Sequence, residues 1–291
     1  MQLPPLPPRP IDGHKGTFGS VCIIGGQRSE DGLVMIGAPA LAGNSAMRSG
    51  CGKTMLAMPQ QVLQAGLELA PTATGIELPV DEVGRLIPSS AIEAIDKHAS
   101  ACRCLVIGPG FGCDWPQQQI IATLLSRDDR PIVLDADGLN ALAALPSGQL
   151  ELRAPTIMTP HIGEYKRLAK IAGIESESAE ELAQAFGCVV VLKSNTTEVS
   201  DGVRSVVKEE GGVELATGGT GDVLSGIIAG TLVQFGIDCV SHLFEAAILG
   251  VHIHGMAGRD FARQHGASGM IATDLLARVP DAISAIRDNG A

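Results

Sequence analysis

Short apolar runs alternate with longer amphipathic stretches along most of the chain. The runs at 104–107 and 132–134 are apolar throughout, which is typical of parallel strands covered by helices on both faces. The alternation predicts an α/β fold, with a central, mostly parallel sheet flanked by helices on both faces. The predicted strands are 20–25, 54–58, 104–107, 132–134, 156–159 and 189–192, and the predicted helices are 39–48, 60–70, 117–125 and 139–145.

The pattern changes after residue 195. Residues 196–199 and 204–207 predict an antiparallel hairpin, in which Asp201-Gly202 would form a type I′ turn. From Gly221 onward the chain is predicted to be helical, over about 221–235, 239–258 and 271–286. Because no internal repeat or linker divides the sequence, we expect a single domain over 1–291, with a proline-rich lead-in at 1–13.

Composition narrows the classes of partner. A formal net charge of -11 argues against a nucleic-acid partner, which needs a basic surface, although helix N-termini can still bind a small anion. The seven cysteines include no CxxC pair, which favours reduced, buried thiols and a cytoplasmic location. We expect no membrane partner and no secretory signal, because the start of the chain is proline-rich and lacks an apolar core segment.

Three segments resemble known phosphate-binding or metal-binding motifs but match them only in part. Residues 50–54 read GCGKT, but a phosphate-binding loop of that type needs glycine where Met47 stands, and here a helix precedes and a strand follows. His252 and His254 are two residues apart on a predicted helix, so they face different directions and are expected in the core or at an interface. No metal site is predicted.

Residues 135–138, Asp-Ala-Asp-Gly, follow a predicted strand. They resemble part of a calcium loop but lack its later ligands. Two interpretations stay open: a ligand site at the carboxyl end of the strand, or a turn in which an aspartate caps the next helix.

The sharpest signal is Gly218-Gly219-Thr220-Gly221-Asp222, directly before an apolar helix. Backbone N–H groups converge at a helix N-terminus and bind anions together with the helix dipole. Asp222 lies in the first turn, where the dipole is expected to keep its carboxylate ionised. An ionised acid beside an anion hole suits phosphoryl transfer to a hydroxyl. The alternative is a glycine-rich turn with Asp222 as a simple capping residue.

The chain resembles the ADP/ATP-dependent NAD(P)H-hydrate dehydratases, a branch of the ribokinase-like superfamily, from His14 to about Pro280. Six motifs carry this resemblance besides GGTGD and occur in the family's order. They are HKGTFG at 14–19, AMRSGCG at 46–52, IGPGFG at 107–112, LDADGLN at 134–140, TPHIGE at 159–164 and VLK at 191–193.

The resemblance implies that ADP or ATP, with Mg²⁺, phosphorylates the hydroxyl of hydrated NADH or NADPH, after which phosphate is eliminated. It implies that Asp222 is the catalytic residue, either as the base or as the group that positions this hydroxyl. The implied substrate-binding residues are Ala38, Gly110, His161 and Asp222. The implied nucleotide-binding residues are Lys193, Ser194, Asn195, Thr196, Thr197 and Gly221. The implied anion hole comprises Gly219, Thr220 and Gly221.

Two departures from the family pattern concern the nucleotide contacts. Ser194 stands where the family usually has glycine, and residues 208–215 read KEEGGVEL where the family usually carries an Asn and a Gly that steady the nucleotide loop. Structural interpretations also stay open for four implied residues. His161 would cap a helix, Gly110 would allow a turn, Lys193 would be solvent-exposed, and Lys15 would either seat the N-terminal loop or bind phosphate.

Further partners follow from the resemblance. It implies a separate NAD(P)H-hydrate epimerase that acts with this protein. The Gly- and Ala-rich helices predicted near 221–258 separately suggest a homo-oligomer, a tetramer being one form. Two rival functions are a small-molecule kinase of the same fold, acting on a vitamin precursor such as hydroxyethylthiazole or pyridoxal, and a nucleotide sensor without turnover. The intact Asp222 argues against the sensor, which would not need it.

Overall fold

The computed structural model describes residues 3–146, 152–208 and 211–289. The first two residues of the predicted lead-in, and residues 209–210 of the segment that departs from the family pattern, lie outside these ranges. The strands are β1 Ser20–Ile24, β2 Gln27–Arg28, β3 Val34–Met35, β4 Lys53–Pro59, β5 Thr74–Leu78, β6 Cys104–Ile107, β7 Ile132–Leu134, β8 Thr156–Met158, β9 Val189–Leu192, β10 Thr197–Ser200 and β11 Ser205–Lys208. The helices are α1 Gly37–Arg48, α2 Gln60–Leu69, α3 Pro88–Ala99, α4 Trp115–Leu125, α5 Asp137–Ala144, α6 Ile162–Ala172, α7 Ala179–Phe186, α8 Thr220–Leu232, α9 Leu243–His265 and α10 Ala272–Asn289.

Nine strands form one sheet in the order β11-β10-β9-β8-β7-β6-β1-β4-β5. The pairs from β9 through β5 are parallel, whereas β10 and β11 continue the sheet antiparallel. The predicted mostly parallel sheet is therefore confirmed. The short β2 and β3 pair with each other outside the main sheet, and the sequence did not predict them.

Each central strand divides its side chains between two apolar layers, because successive residues of a strand point to opposite faces. In β1, Cys22 and Ile24 pack with helices α3 to α7, whereas Val21 and Ile23 pack with α1, α2, α8 and α9. Both faces of the sheet are thus covered, which is why the strands read as continuous apolar runs.

Helix α8 is buried on nearly all sides, because it lies between the sheet, α1, α9 and α10. Its Gly226 allows the close approach of α1: a Cβ atom there would lie 2.1 Å from the Ala42 carbonyl oxygen. This packing holds the N-terminus of α8 at a fixed place relative to the sheet.

Two predicted details are wrong. The hairpin loop contains four residues, 201–204, because Ser200 pairs with Ser205, and the Asp201 carboxylate accepts bonds from the backbone N–H groups of Val203 and Arg204. A helix was predicted over 239–258, but a 3₁₀ segment runs over 233–242, with Gly236 at φ 83°, and α9 begins only at Leu243.

The GCGKT segment joins the end of α1 to β4, as expected for a helix end rather than a phosphate-binding loop. The loop that holds Lys15 lies at the same edge: Gly52 donates its N–H to the Gly19 carbonyl and packs on the Lys15 backbone. The Lys15 backbone therefore helps to seat this loop at the amino edge of the sheet, whereas the Lys15 side chain is exposed. No helix in the described parts of the chain is long and apolar enough to cross a membrane.

All seven cysteines are free, as expected, and six of them are buried, whereas Cys113 is exposed.

Candidate active site

Polar residues from three neighbouring strands meet at the carboxyl edge of the sheet. Asp135 directly follows β7, Thr159 follows β8, and Lys193 follows β9. His161 forms a parallel bridge with Lys193, which brings the ends of β8 and β9 together. The carboxyl edge is where open parallel sheets bind ligands.

Asp135 and Lys193 form an ion pair in this group. The Lys193 Nζ lies 3.0 Å from Asp135 Oδ1, which also accepts a 2.7 Å bond from the Thr159 hydroxyl. Asp135 is only 1% exposed, so its charge depends on these two partners. Lys193 is half-buried, so the alternative interpretation of a solvent-exposed lysine is wrong.

Asp135 does not cap helix α5, which begins without a side-chain cap after Ala136. Ala136 has φ 48°, a conformation that is rare for residues other than glycine and is often found near functional sites. Asp137 accepts a 2.9 Å bond from the N–H of Gly112 and so fixes the loop after β6. The two aspartates therefore differ: Asp137 holds a loop, and Asp135 faces Lys193.

The GGTGD turn begins α8 as predicted. Gly219 adopts φ 92°, and the Thr220 hydroxyl lies 2.8 Å from the Leu215 carbonyl and 3.0 Å from that of Thr217. The first N–H groups of an α-helix have no acceptor within the helix, so those of residues 220–222 are available to an anion.

Asp222 is half-buried in the first turn of α8. Burial raises its pKa from 3.8 to about 7, and the negative charge of Asp135 adds to this effect, whereas Lys193 opposes it. Desolvation therefore opposes the predicted effect of the helix dipole, and near neutral pH the carboxyl group is divided between its protonated and ionised forms. A pKa near the working pH suits a general base.

Lys193 lies between Asp135 and the start of α8, since a Cβ atom on Gly221 would be 3.3 Å from its Nζ. Burial lowers the pKa of Lys193, but the attraction of Asp135 and Glu164 outweighs burial, so its pKa is raised overall. A protonated ammonium group thus lies beside the predicted anion hole.

His161 caps helix α6. Its Nδ1 accepts bonds from the N–H groups of Gly163 and Glu164, and the Glu164 carboxylate accepts from the His161 N–H, which together form a capping box. The capping interpretation is confirmed, although the His161 side chain remains 56% exposed.

Sequence reasoning did not assign a role to Glu164. The residue is 5% exposed, and burial raises its pKa to about 7, against the opposing effect of Lys193. Its position three residues after the cap was the available signal, since a capping box needs an acid there.

A cleft of about 630 Å³ opens beside Gly221. Most of the predicted nucleotide-binding residues line it, except Thr196. The lining residues are His161, Lys193, Ser194, Asn195, Thr197, Gly211, Gly212, Val213, Leu215, Ala216, Thr220, Gly221, Leu224, Val251 and His254. The cleft therefore has a polar wall from the loop after β9 and an apolar wall from the segment before α8.

The two departures from the family pattern both lie at this cleft. The backbone at Ser194 is not left-handed, because Ala136 is the one non-glycine residue with positive φ in the described ranges. A serine is therefore tolerated at position 194, and the Ser194 hydroxyl donates to the Thr196 carbonyl. Residues 211–213 and 215 of the altered segment line the cleft, and the Glu214 carboxylate accepts a bond from the Gly212 N–H.

Ala38 and Gly110, two of the predicted substrate-binding residues, lie close together. Gly110 has φ 58°, and a Cβ atom there would lie 3.5 Å from the Ala38 Cβ and 3.0 Å from the Met35 Cβ. The turn that Gly110 was predicted to allow is present. Met35 belongs to the β2–β3 hairpin, so this small hairpin covers Gly110.

His254 is a further residue of the site that the sequence did not reveal. It is 9% exposed, and its Nε2 lies 2.9 Å from the Thr220 carbonyl oxygen in the GGTGD turn. The sequence predicted His254 in the core or at an interface, which its burial confirms, but no local pattern shows that α9 passes behind this turn.

Comparison with known proteins agrees with this geometry. The family model described as NAD(P)H-hydrate dehydratase matches residues 21–281. An ADP-dependent (S)-NAD(P)H-hydrate dehydratase of Neisseria meningitidis is 34% identical over 277 residues, which cover 92% of this chain and 86% of that protein. The chain spans about half the length of the bifunctional NAD(P)H-hydrate repair enzymes that it also matches; the Salinibacter ruber enzyme is 33% identical over 282 residues, which cover 94% of this chain and 50% of that protein.

Solved structures give the same result. The ADP/ATP-dependent NAD(P)H-hydrate dehydratase of Bacillus subtilis, co-crystallised with ATP/Mg²⁺, has a TM-score of 0.76 and 29% identity, and the match covers 97% of this chain and 94% of that one. A ribokinase-like superfamily protein of Enterococcus faecalis has a TM-score of 0.79 and 25% identity, with 97% and 92% of the two chains covered. The predicted ribokinase-like fold is confirmed, and the family model, matched over most of the sequence, shows that this chain belongs to the NAD(P)H-hydrate dehydratase family.

Proposed function

We propose that this protein is a single-domain enzyme that dehydrates hydrated NADH or NADPH at the expense of ADP or ATP. The observation that carries the proposal is the placement of Asp222, whose pKa is raised to about 7, in the first turn of α8 beside Lys193 and the free N–H groups of that turn. A base, a cation and an anion hole thus lie within one site.

The proposed reaction has two steps. In the first step, Asp222 takes the proton of the hydroxyl group on the hydrated nicotinamide ring. At the same time a bond forms between the hydroxyl oxygen and the terminal phosphorus of ADP or ATP, and the bond from that phosphorus to the oxygen of the leaving nucleotide breaks. In the second, the carbon–oxygen bond breaks, phosphate leaves, and a proton is lost from the neighbouring carbon, which restores the double bond. Phosphorylation converts a poor leaving group, hydroxide, into a good one.

The cleft beside Gly221 is the proposed site of the nucleotide. Val213, Leu215 and Val251 offer an apolar wall for a base, and Ser194 and Thr197 offer hydroxyl groups for the ribose and phosphates. The ADP dependence of the Neisseria protein and the ATP/Mg²⁺ co-crystal of the Bacillus protein support a nucleoside di- or triphosphate as the donor.

A Mg²⁺ ion is expected to accompany the nucleotide and to neutralise charge on its phosphates. In the described ranges no group of three or more His, Cys, Asp or Glu side chains could hold a metal ion. This fits Mg²⁺, which commonly binds one or two carboxylates together with substrate phosphates.

The hydrated dinucleotide is proposed to bind on the side of Ala38 and Gly110, where Gly110 packs under Met35 and a Cβ atom at position 110 would crowd that residue. His161, exposed at the start of α6, would contact it while its Nδ1 caps the helix. We further propose that the enzyme is a cytoplasmic homo-oligomer, a tetramer being one form, and acts with an NAD(P)H-hydrate epimerase. The bifunctional relatives, which carry two repair activities in one chain, support this coupling.

A small-molecule kinase of the same fold is the alternative that the site chemistry allows. Product analysis separates the two functions: phosphorus NMR of a reaction with hydrated NADH, Mg²⁺ and either donor should show free inorganic phosphate. Phosphate that stays bonded to the organic product would favour the kinase. Nucleotide binding without any new phosphorus species would favour a sensor.

A further inference from the structure

The anion hole lies where a loop enters helix α8: residues 216–219 belong to no helix or strand, and α8 begins at Thr220. Residues 215–221 include the left-handed Gly219, and the Thr220 hydroxyl is bonded only within the segment, to Leu215 and Thr217. In the described ranges, the bond from His254 to the Thr220 carbonyl is the side-chain hydrogen bond that joins this turn to another element.

The direction of this bond is fixed by chemistry. A carbonyl oxygen only accepts, so the His254 Nε2 must carry the proton that lies between the two atoms, 2.9 Å apart. Burial lowers the pKa of His254 to about 4, which keeps the ring neutral. A neutral donor holds the turn without adding a positive charge that would compete with Lys193 for the phosphate.

The bond has a consequence for Gly221. The Thr220 carbonyl and the Gly221 N–H belong to one peptide group, which is planar and trans, so the two point in opposite directions. A donor that fixes the carbonyl therefore also aims the N–H. The donor itself lies on α9, whose buried residues Ile253 and Ala257 pack into the layer shared with α8 and α10.

We propose that His254 is a positioning residue that aims the Gly221 N–H at the transferred phosphoryl group by holding the Thr220 carbonyl. This inference rests on the proposed function. His254 also lines the cleft beside Gly221, so it lies next to both the proposed nucleotide site and the anion hole.

The test compares three substitutions of His254. In His254→Gln the side-chain amide can place an N–H near the position of Nε2, whereas Asn is too short to do so and Phe has no donor. We expect kcat to fall about tenfold to a hundredfold in His254→Phe and His254→Asn, as when an oxyanion donor is misaligned, and to stay within a few-fold of wild type in His254→Gln. Ile253→Val, a buried change on α9 away from the cleft, controls for loss of packing, and melting temperatures are measured for all four.

The inference is overturned if His254→Phe and His254→Asn keep wild-type kcat, or if His254→Gln is impaired as much as they are. A second measurement separates this outcome from failure of the proposed function. If the wild-type protein does not restore NADH with either donor, ADP binding to the same variants is measured by isothermal titration calorimetry. Binding that is at least tenfold weaker in His254→Phe and His254→Asn, but not in His254→Gln, supports the positioning role. Equal binding in all variants overturns it.

Discussion

Substituting Asp222 by Asn should make the protein more stable while removing its turnover. In the folded protein the Asp222 carboxyl has a pKa of about 7, against 3.8 for an unperturbed carboxyl. Ionising it in the folded state is therefore unfavourable by at most about 4 kcal/mol relative to the unfolded chain. Asn has the same shape and carries no charge, so it is free of this penalty.

The sign of the pH dependence follows from the raised pKa. Between pH 4 and 7 the unfolded carboxyl is already ionised while the folded one still holds its proton, so wild-type stability falls over this range relative to Asp222→Asn. The difference should be small at pH 4 and reach its maximum above pH 7. For a chain of this size the upper limit of about 4 kcal/mol corresponds to a shift in melting temperature of roughly 8 °C.

Scanning calorimetry of both proteins at pH 5 and pH 8, without ligand, measures this difference. Asp128→Asn, at an exposed carboxylate after α4, is the matched control and should melt like wild type at both values. If Asp222→Asn melts at or below the wild-type temperature at pH 8, the claim that ionised Asp222 destabilises the folded protein is refuted.

Three other predictions concern the same site. In the wild-type enzyme kcat/KM should fall about tenfold per pH unit below pH 7, as Asp222 becomes protonated. Asp135→Asn should move this fall to lower pH, because Asp135 raises the pKa of Asp222. A flat kcat/KM profile from pH 5 to 8 would contradict this role of Asp222. Lys193→Met should lower kcat about a hundredfold and should destabilise the protein, because it leaves the Asp135 charge buried and unpaired. Adding Asp135→Asn to this variant should restore the melting temperature but not kcat. Steady-state kinetics measures kcat, and calorimetry measures the melting temperature. Gly110→Ala places a Cβ 3.0 Å from that of Met35 at φ 58° and should raise KM for the hydrated dinucleotide but not for the nucleotide; an equal rise in both would place the dinucleotide elsewhere.

Local patterns in the sequence were enough to predict the central strands and the start of α8. Each parallel strand is a continuous apolar run because both of its faces are buried, and the GGTGD turn directly precedes an apolar helix. The β2–β3 hairpin could not be predicted in the same way, because two-residue strands show no periodicity. The start of α9 was misplaced because the apolar 3₁₀ segment at 233–242 has a helix-like composition.

The state of the site depends on contacts between distant parts of the chain. The helix dipole alone predicts an ionised Asp222, and only the fold shows that burial and Asp135 oppose it. The pairing of Asp135 with Lys193 joins two strands that are 58 residues apart. His254 is similar, since its partner Thr220 is 34 residues away. Motifs thus pointed to most of the residues that meet at the candidate site, whereas the charges and hydrogen bonds of these residues required the structure.

The most direct test of the account is the repair reaction itself. Wild-type protein is incubated with hydrated NADH, Mg²⁺ and either ADP or ATP, and the absorbance of restored NADH is followed together with released phosphate. We predict that NADH returns with one phosphate released for each molecule restored, and that Asp222→Asn binds nucleotide but loses most of this turnover. No restoration with either donor, or near-normal turnover in Asp222→Asn, would contradict the account.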